Sequence, residues 1–391
     1  MGTDICVVSN AYPDFEGSYH GIFVRRTVED MGARGYFSRL LVPRIYSESA
    51  RFEEHATHSV RRFRFPSAQK LLIEYERMPV LRLSVLLASG TIEAVRTIGR
   101  YGCRLVHAHW AAPSGLIALA ASHLTGVPLV VTVHGSDYRL AAERGGPVGY
   151  LFKRVVRGAA GVIAVSDEIA AYVKEHAPVA PDRVTTCPMG ADERIFNTSA
   201  AAEAELESVV GVVCTRNHLP LYRVDDLIQA AATVKNNIPN LCLALPGTGP
   251  QSGELGEQAR ALGFSNTEAR FYGRIEPRRL ASFLTAATVY VSTSPSEGTS
   301  TSLLEAMACG VLPVVTDIPS NRAWVTGGEN GLLFPPGDVP ALARALIRAT
   351  TDKDLQVRAR TLGPETVARR GGLWSHQIET LETLYRELIQ E

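Results

Sequence analysis

Neither sign of charge is in excess in this chain. Its 391 residues hold 40 Lys plus Arg against 40 Asp plus Glu, a balance that argues against a general nucleic-acid binder or an acidic tail. The halves differ slightly: 23 basic and 19 acidic residues fall in 1–196, and 17 and 21 in 197–391. Cysteine is sparse and scattered. Cys6, Cys103, Cys187, Cys214, Cys242 and Cys309 include no C-x-x-C pair and read as buried thiols in a reducing cytosol. No uninterrupted run of about 18 apolar residues occurs, so no membrane-spanning helix is expected. The start, MGTDICVVSN, lacks the basic residues and long apolar core of a signal peptide, and position 6 is not the Ser or Thr of a myristoylation signal. A cytoplasmic protein is the expectation. No strand opens into G-x-G-x-x-G, which disfavours a nicotinamide oxidoreductase.

What is present is alternation. A chain of this length exceeds one hydrophobic core, so two domains of about 150 to 200 residues are expected. Short β-branched runs (ICVVS, RLLVP, RLVHAH, LVVTVHG, GVIAVS, RVTTCP) alternate with helical periods near Ile22 to Ala33, Ser84 to Tyr101, Ser114 to Thr125 and Asp167 to His176. That is the pattern of a parallel sheet covered by helices. Residues 197–208, rich in Ala, Glu and Ser, read as a linker. The alternation then restarts with VVGVVCT, NLCLALPG, ARFYG, TVYVST, LPVVT and GLLF. The last segment, 373–391, has a helical apolar stripe that must be buried against something. Segment 61–90 mixes Arg and Lys with Leu, Phe and Tyr, and raises peripheral contact with a membrane surface; an amphipathic loop and helix with a solvated basic side is the simpler account.

Two carboxylates stand out in SPSEGTSTSLLEAMACGVLP. Glu297 and Glu305 flank a stretch of Gly, Ser and Thr just where an apolar helix begins. Ser302 and Glu305 fit a capping box, and Glu297 fits a solvated loop acid. The functional reading is that helix amides near Thr299, Ser300 and Thr301 attract a phosphate. A carboxylate on either side then accepts from sugar hydroxyls. Glycosidase acids face each other across one bond; here an anion-friendly helix end lies between the pair, which favours a diphosphate ligand.

With these residues in view, the sequence resembles the retaining glycosyltransferases of family 4. The resemblance runs through the E-x7-E element Glu297 to Glu305, the loop EGSYHGIFVRR, VHAHWAAPSG, VTVHGSD, GVIAVSDEI, PMGADERIF, PGTGP and FYGRI. It implies an α/β chain of GT-B fold, with two Rossmann-like, doubly wound parallel-sheet domains facing a central cleft. Residues 1–196 would bind the acceptor and 209–372 the nucleotide sugar, with 373–391 packing back toward the first domain. Carried over by position, the catalytic group is His134, Glu297 and Arg216. Glu297 would hold the transferred sugar and Glu305 the ribose, with amides of Gly298, Thr299, Ser300 and Thr301 on sugar and phosphate. Gly21 would let backbone approach the diphosphate, and Gly247 and Gly249 of PGTGP would lie near the nucleotide. Backbone at Tyr272, Gly273 and Arg274 would read the base. His109 and Asp137 are candidates on the acceptor side. The family's phosphate pattern, GR-x5-KG, is altered: Arg216 fits, Tyr222 stands at the lysine and Arg223 at the glycine, so Arg223 is a candidate second charge. The resemblance implies no cofactor and no metal. It implies a nucleotide-sugar donor, a UDP-sugar by family frequency, and a small-molecule, glycan or lipid-linked acceptor. An epimerase on the same architecture and a non-catalytic nucleotide-sugar binder are the alternatives. Asp352-Lys353-Asp354 reads as a helix start instead of a metal motif.

Overall fold

The computed structural model describes residues 2–15, 17–18, 20–75, 79–207, 209–238 and 240–390. Runs of Val, Ile and Leu become strands because β-branched side chains suit a pleated surface covered on both faces. The first eight strands are β1 (Thr3–Ser9), β2 (Tyr36–Pro43), β3 (Phe52–Glu54), β4 (His58–Phe63), β5 (Val106–His109), β6 (Leu129–Val133), β7 (Gly161–Ala164) and β8 (Val184–Thr186). They form one sheet in the order β3-β4-β2-β1-β5-β6-β7-β8, parallel except where β3 runs antiparallel along β4. The other six are β9 (Val210–Val213), β10 (Leu241–Pro246), β11 (Ala269–Gly273), β12 (Val289–Ser292), β13 (Leu312–Thr316) and β14 (Leu332–Phe334). These make an all-parallel sheet ordered β11-β10-β9-β12-β13-β14. Both sheets are doubly wound, as the alternation predicts.

The chain's contacts divide it into Met1–Cys187 with Ile378–Glu391, and Pro188–Gln377. In the second unit, Phe196, Leu206, Phe283, Leu284, Tyr290, Leu303, Leu304 and Met307 are part of one buried cluster. Each such side chain contributes about 1.5 to 3 kcal/mol on burial. Leu206 lies in the helix Ala204–Glu207, inside the expected linker 197–208. Leu206 is buried in that cluster, while residues 198, 199, 201, 202, 204 and 205 are exposed; one leucine among Ala, Glu and Ser carries too weak a pattern to announce its burial. Ser208 lies outside the described residues.

Helix ends follow their capping chemistry. Ser166 accepts from the Ile169 amide and opens Asp167–His176, while Gly102 and Gly126, both left-handed, close Val80–Tyr101 and Ser114–Thr125. Asp352 caps Lys353–Arg369 by accepting from Leu355 N at 2.9 Å, so the D-x-D is a helix start. One cap differs from expectation. The helix Thr301–Ala308 is capped by Ser300, whose Oγ accepts from Leu303 N, and the Ser302–Glu305 box does not set its start. The expected strands omit β3 and β4, whose Arg, His and Glu residues hide the period of two. Arg62 of β4 is buried because its guanidinium donates to Pro13 O and Ala50 O and pairs with Glu53.

Segment 61–90 resolves into β4, a 3-10 turn at Leu72–Glu74 and the start of Val80–Tyr101. Residues 76–78, within it, lie outside the described residues. Val80 and Leu81 are exposed, and among the described residues no helix is long and apolar enough to cross a membrane. In the C-terminal helix Trp374–Gln390, Tyr385 is buried and its hydroxyl sits 2.6 Å from His107 Nδ1. Leu384 fills the space left by the missing side chain of Gly161. All six cysteines are free and buried.

Candidate functional site

Strand order locates the ligand ends of the two sheets. In the second sheet the order runs third, second, first, fourth, fifth, sixth, reversing between β9 and β12. Open α/β sheets bind ligands outside the carboxyl ends of strands at such a reversal. The loop after β9 carries Arg216 and the loop after β12 carries Glu297.

Their side chains meet. Arg216 is buried, and its Nη2 donates to Glu297 in an ion pair. Its Nη1 donates to Ser300 Oγ at 3.2 Å and to Ser302 Oγ at 3.4 Å. One face of the guanidinium lies on the Tyr222 ring, 4.1 Å from Cζ to centroid. Burial opposes the charge, but Glu297, Tyr290 and Tyr222 more than offset it, so the arginine's pKa is raised. Its Nε has no hydrogen-bond partner among the described residues. Glu297, Gly298 and Thr299 are half-buried, Ser300 is the buried cap, Thr301 opens the helix, and Glu305 is half-buried one turn in.

The expected nucleotide loops lie against this arginine's own strand exit. Gly247 has φ 147°, and a Cβ there would stand 2.5 Å from Arg216 O; at Gly249 a Cβ would overlap His218 O. His218 N donates to Thr248 O at 3.1 Å, and His218 Nδ1 lies 2.8 Å from Ser252 Oγ. The glycines of PGTGP are thus required by the chain's own packing. Gly273, at φ 63°, accepts from Gly247 N at 2.8 Å. Tyr272 donates its hydroxyl to Glu205 at 3.0 Å and packs edge-on against Phe283, so its side chain is committed to structure. Arg274 is exposed. Arg223, at φ 49°, gives its guanidinium to Asp226, with Nε–Oδ2 2.8 Å and Nη2–Oδ1 3.1 Å. The candidate second charge is already answered inside its own turn.

In the first sheet the order reverses between β1 and β5. Asn10, after β1, ties the two exits together by donating to Ala112 O at 3.1 Å and accepting from Ser114 N at 3.1 Å. Gly21 caps Ile22–Ala33 at φ 71°, and a Cβ there would overlap the Ala11 carbonyl, so this glycine too serves the fold directly. Glu16 and Tyr19 of the same loop lie outside the described residues.

His109 ends β5, and His134 is the residue before the helix Gly135–Arg144. Their rings stack at 5.6 Å, with His109 Nδ1 3.4 Å from His134 Nε2. Trp110 and Phe23 approach His134 at 4.7 and 5.1 Å between centroids. Burial holds His109 down to about 4, and burial with His109 beside it lowers His134 as well, so both imidazoles are neutral at pH 7. Asp137 accepts from Ala111 N at 2.6 Å and from Tyr138 N at 3.1 Å. Burial outweighs these amides and pushes its carboxyl up to about 7. It anchors the loop after β5, a role that its place in VTVHGSD does not reveal. Sequence reading also missed Ser302, Asn10, Trp110, Phe23 and the stacking role of Tyr222. Ser302 had been read only as half of a capping box. Among the described residues no group of three or more His, Cys, Asp or Glu could hold a metal ion.

Known proteins share these features. Residues 20–194 match the model described as Glycosyltransferase Family 4, and 211–365 match Glycosyl transferases group 1. The chain is 28% identical over 338 residues to the D-inositol 3-phosphate glycosyltransferase of Acidothermus cellulolyticus, covering 81% of this chain and 74% of that protein. Other curated relatives are spanned over 64 to 79% of their length. Sucrose-phosphate synthase from Thermosynechococcus elongatus superposes with a TM-score of 0.80 at 22% identity, over 99% of each chain. Anabaena Alr3699/HepE in complex with UDP-glucose superposes at 0.72 and 18% identity, over 98% of this chain and 99% of that one.

Proposed function

The chain belongs to the Glycosyltransferase Family 4 group of GT-B enzymes, and from that premise we propose that it moves a sugar, with retention at the anomeric carbon, from a nucleoside diphosphate to an acceptor hydroxyl. The observation that carries this reading is the buried guanidinium of Arg216 at the β9/β12 reversal, held by Ser300, Ser302, Glu297 and Tyr222. A buried, pre-oriented cation beside a helix start is what a diphosphate leaving group needs. The HepE complex with UDP-glucose supports a UDP-sugar as donor.

Glu297 stands in for the ligand's anion before the donor arrives. On binding, the diphosphate takes the Nη edge of Arg216 and the displaced carboxylate turns to the sugar's hydroxyls, while Glu305 accepts from the ribose. His134, neutral and a donor through one ring nitrogen, is assigned to the transferred sugar. The acceptor oxygen bonds to the anomeric carbon as the carbon–phosphate oxygen bond breaks, and the acceptor's proton passes to that departing oxygen. The chain's groups supply position and charge stabilisation.

The test is incubation with UDP-, GDP-, ADP- and TDP-sugars, following nucleoside diphosphate release and product anomer by NMR. Release that rises with added acceptor and retains configuration is expected. Epimerised donor, or binding without turnover, would overturn the reading. By calorimetry, Glu305→Ala should weaken donor binding more than Glu297→Ala, because Glu297 also competes for Arg216 in the free protein. Equal affinity in the two variants refutes the division of roles.

A further inference from the structure

Tyr222 occupies the place where a second cation was expected, and the structure gives its ring a definite task. It closes the 3-10 turn Pro220–Tyr222, with its carbonyl accepting from Thr293 Oγ1 at 2.7 Å, beside the end of β12. Its ring packs on the second unit's apolar cluster around Val212 and Cys214 and carries the Arg216 guanidinium on its face, 4.1 Å away. The Arg216 guanidinium lies over Tyr222, and its Nη edge is shared by Glu297, Ser300 and Ser302. A diphosphate that takes that edge displaces Glu297. The ring contact, 4.1 Å from Cζ to centroid, is separate from the hydrogen bonds of the Nη edge. Arg223 turns its Nε and Nη2 to Asp226.

We propose that Tyr222 is a positioning residue for donor binding, its ring fixing the plane of Arg216 so that a single guanidinium serves the diphosphate where a second cation is missing. The inference rests on the donor assignment above and deepens it. Where a lysine would add charge, this tyrosine supplies orientation, which predicts dependence on the ring and indifference to its hydroxyl. Ordering a freed arginine side chain at the moment of binding costs up to about tenfold in affinity, and the ring removes that cost in advance.

The experiment is titration calorimetry of the full chain with UDP, GDP, ADP and TDP, and with the nucleoside of whichever diphosphate binds best. Tyr222→Phe should bind that diphosphate within about twofold of wild type, whereas Tyr222→Leu should bind it about tenfold more weakly. Both should keep wild-type affinity for the nucleoside, a contrast that a general loss of structure would not produce. Should Tyr222→Leu fail to fold, Tyr222→Met carries the same prediction, and melting curves of all variants report the fold. Equal weakening toward diphosphate and nucleoside, unchanged diphosphate affinity in Leu or Met, or loss in Phe equal to that in Leu overturns the positioning role alone. Absence of any diphosphate binding to the wild type overturns the donor assignment and this inference with it.

Discussion

Mild acid should destabilise the first unit before it damages any active-site chemistry. His58, His107, His109 and His134 are all buried there, and burial lowers the pKa of each, to about 4 for His58 and for His109. The sign follows from proton uptake. The unfolded chain binds a proton at each imidazole near its ordinary pKa of 6.5, whereas the folded chain holds the proton off to lower pH, to about 4 at His58 and His109, so stability falls as pH drops through 6.5. For His109 alone that window costs on the order of 3 kcal/mol, of which about 2 kcal/mol is lost between pH 7 and 5. Asp137 acts oppositely. Its carboxyl, raised to about 7, takes up a proton in the folded state first, so it stabilises as pH falls through 7 and offsets about one histidine's loss. The other imidazoles add losses of the same sign, against the roughly 5 to 15 kcal/mol that holds a typical domain together. Urea denaturation at half-unit steps from pH 7.5 to 4.5 measures it, and His109→Asn should flatten the slope by up to one proton, about 1.4 kcal/mol per pH unit. A stability flat between pH 7 and 5, or a His109→Asn slope equal to wild type, would refute the claim that these rings are buried neutral.

Two substitutions probe the loops and the C-terminal helix separately. Gly249→Ala puts a Cβ onto the His218 carbonyl, so the PGTGP loop must shift; diphosphate affinity by calorimetry should fall at least about tenfold with a far smaller change in melting temperature. Tyr385→Phe removes the hydroxyl facing His107 Nδ1 and leaves a buried ring nitrogen unpaired, costing about 1 to 3 kcal/mol in urea titration, without altering donor binding.

The parts of this molecule legible in sequence are those governed by local period. Ile22–Ala33, Ser114–Thr125 and Asp167–His176 begin and end where their apolar spacing predicts. What escaped was set by tertiary partners. The edge pair β3 and β4 reads as polar loop until Arg62 is seen to be buried among carbonyls and Glu53, and a charged residue cannot announce that it will find enough acceptors to go inside. Leu206 and Tyr222 make the same point from the apolar side. Each is one residue in a segment whose composition reads as connection; Leu206 joins a buried cluster with Phe283 and Leu303, and Tyr222 accepts from Thr293, 71 residues on.

The candidate site divides along the same line. Spacing located Glu297 and Glu305, because a helix start after a strand and the residues flanking it are local facts, whereas Arg216 came from the family resemblance. It gave Glu297 and Arg216 different ligand groups and did not reveal that they pair with each other in the free protein. That pairing follows from strand order: loops 81 residues apart converge only because β9 and β12 are neighbours. It also has an energetic consequence. An arginine buried without a carboxylate would face a desolvation cost of several kcal/mol; with Glu297 present, the cation stays charged and oriented until a stronger anion arrives. On the proposed assignment, donor binding would exchange anions on one guanidinium, the free energy gained from the diphosphate would be reduced by that of the pair it breaks, and the carboxylate released would be the one proposed to hold the sugar.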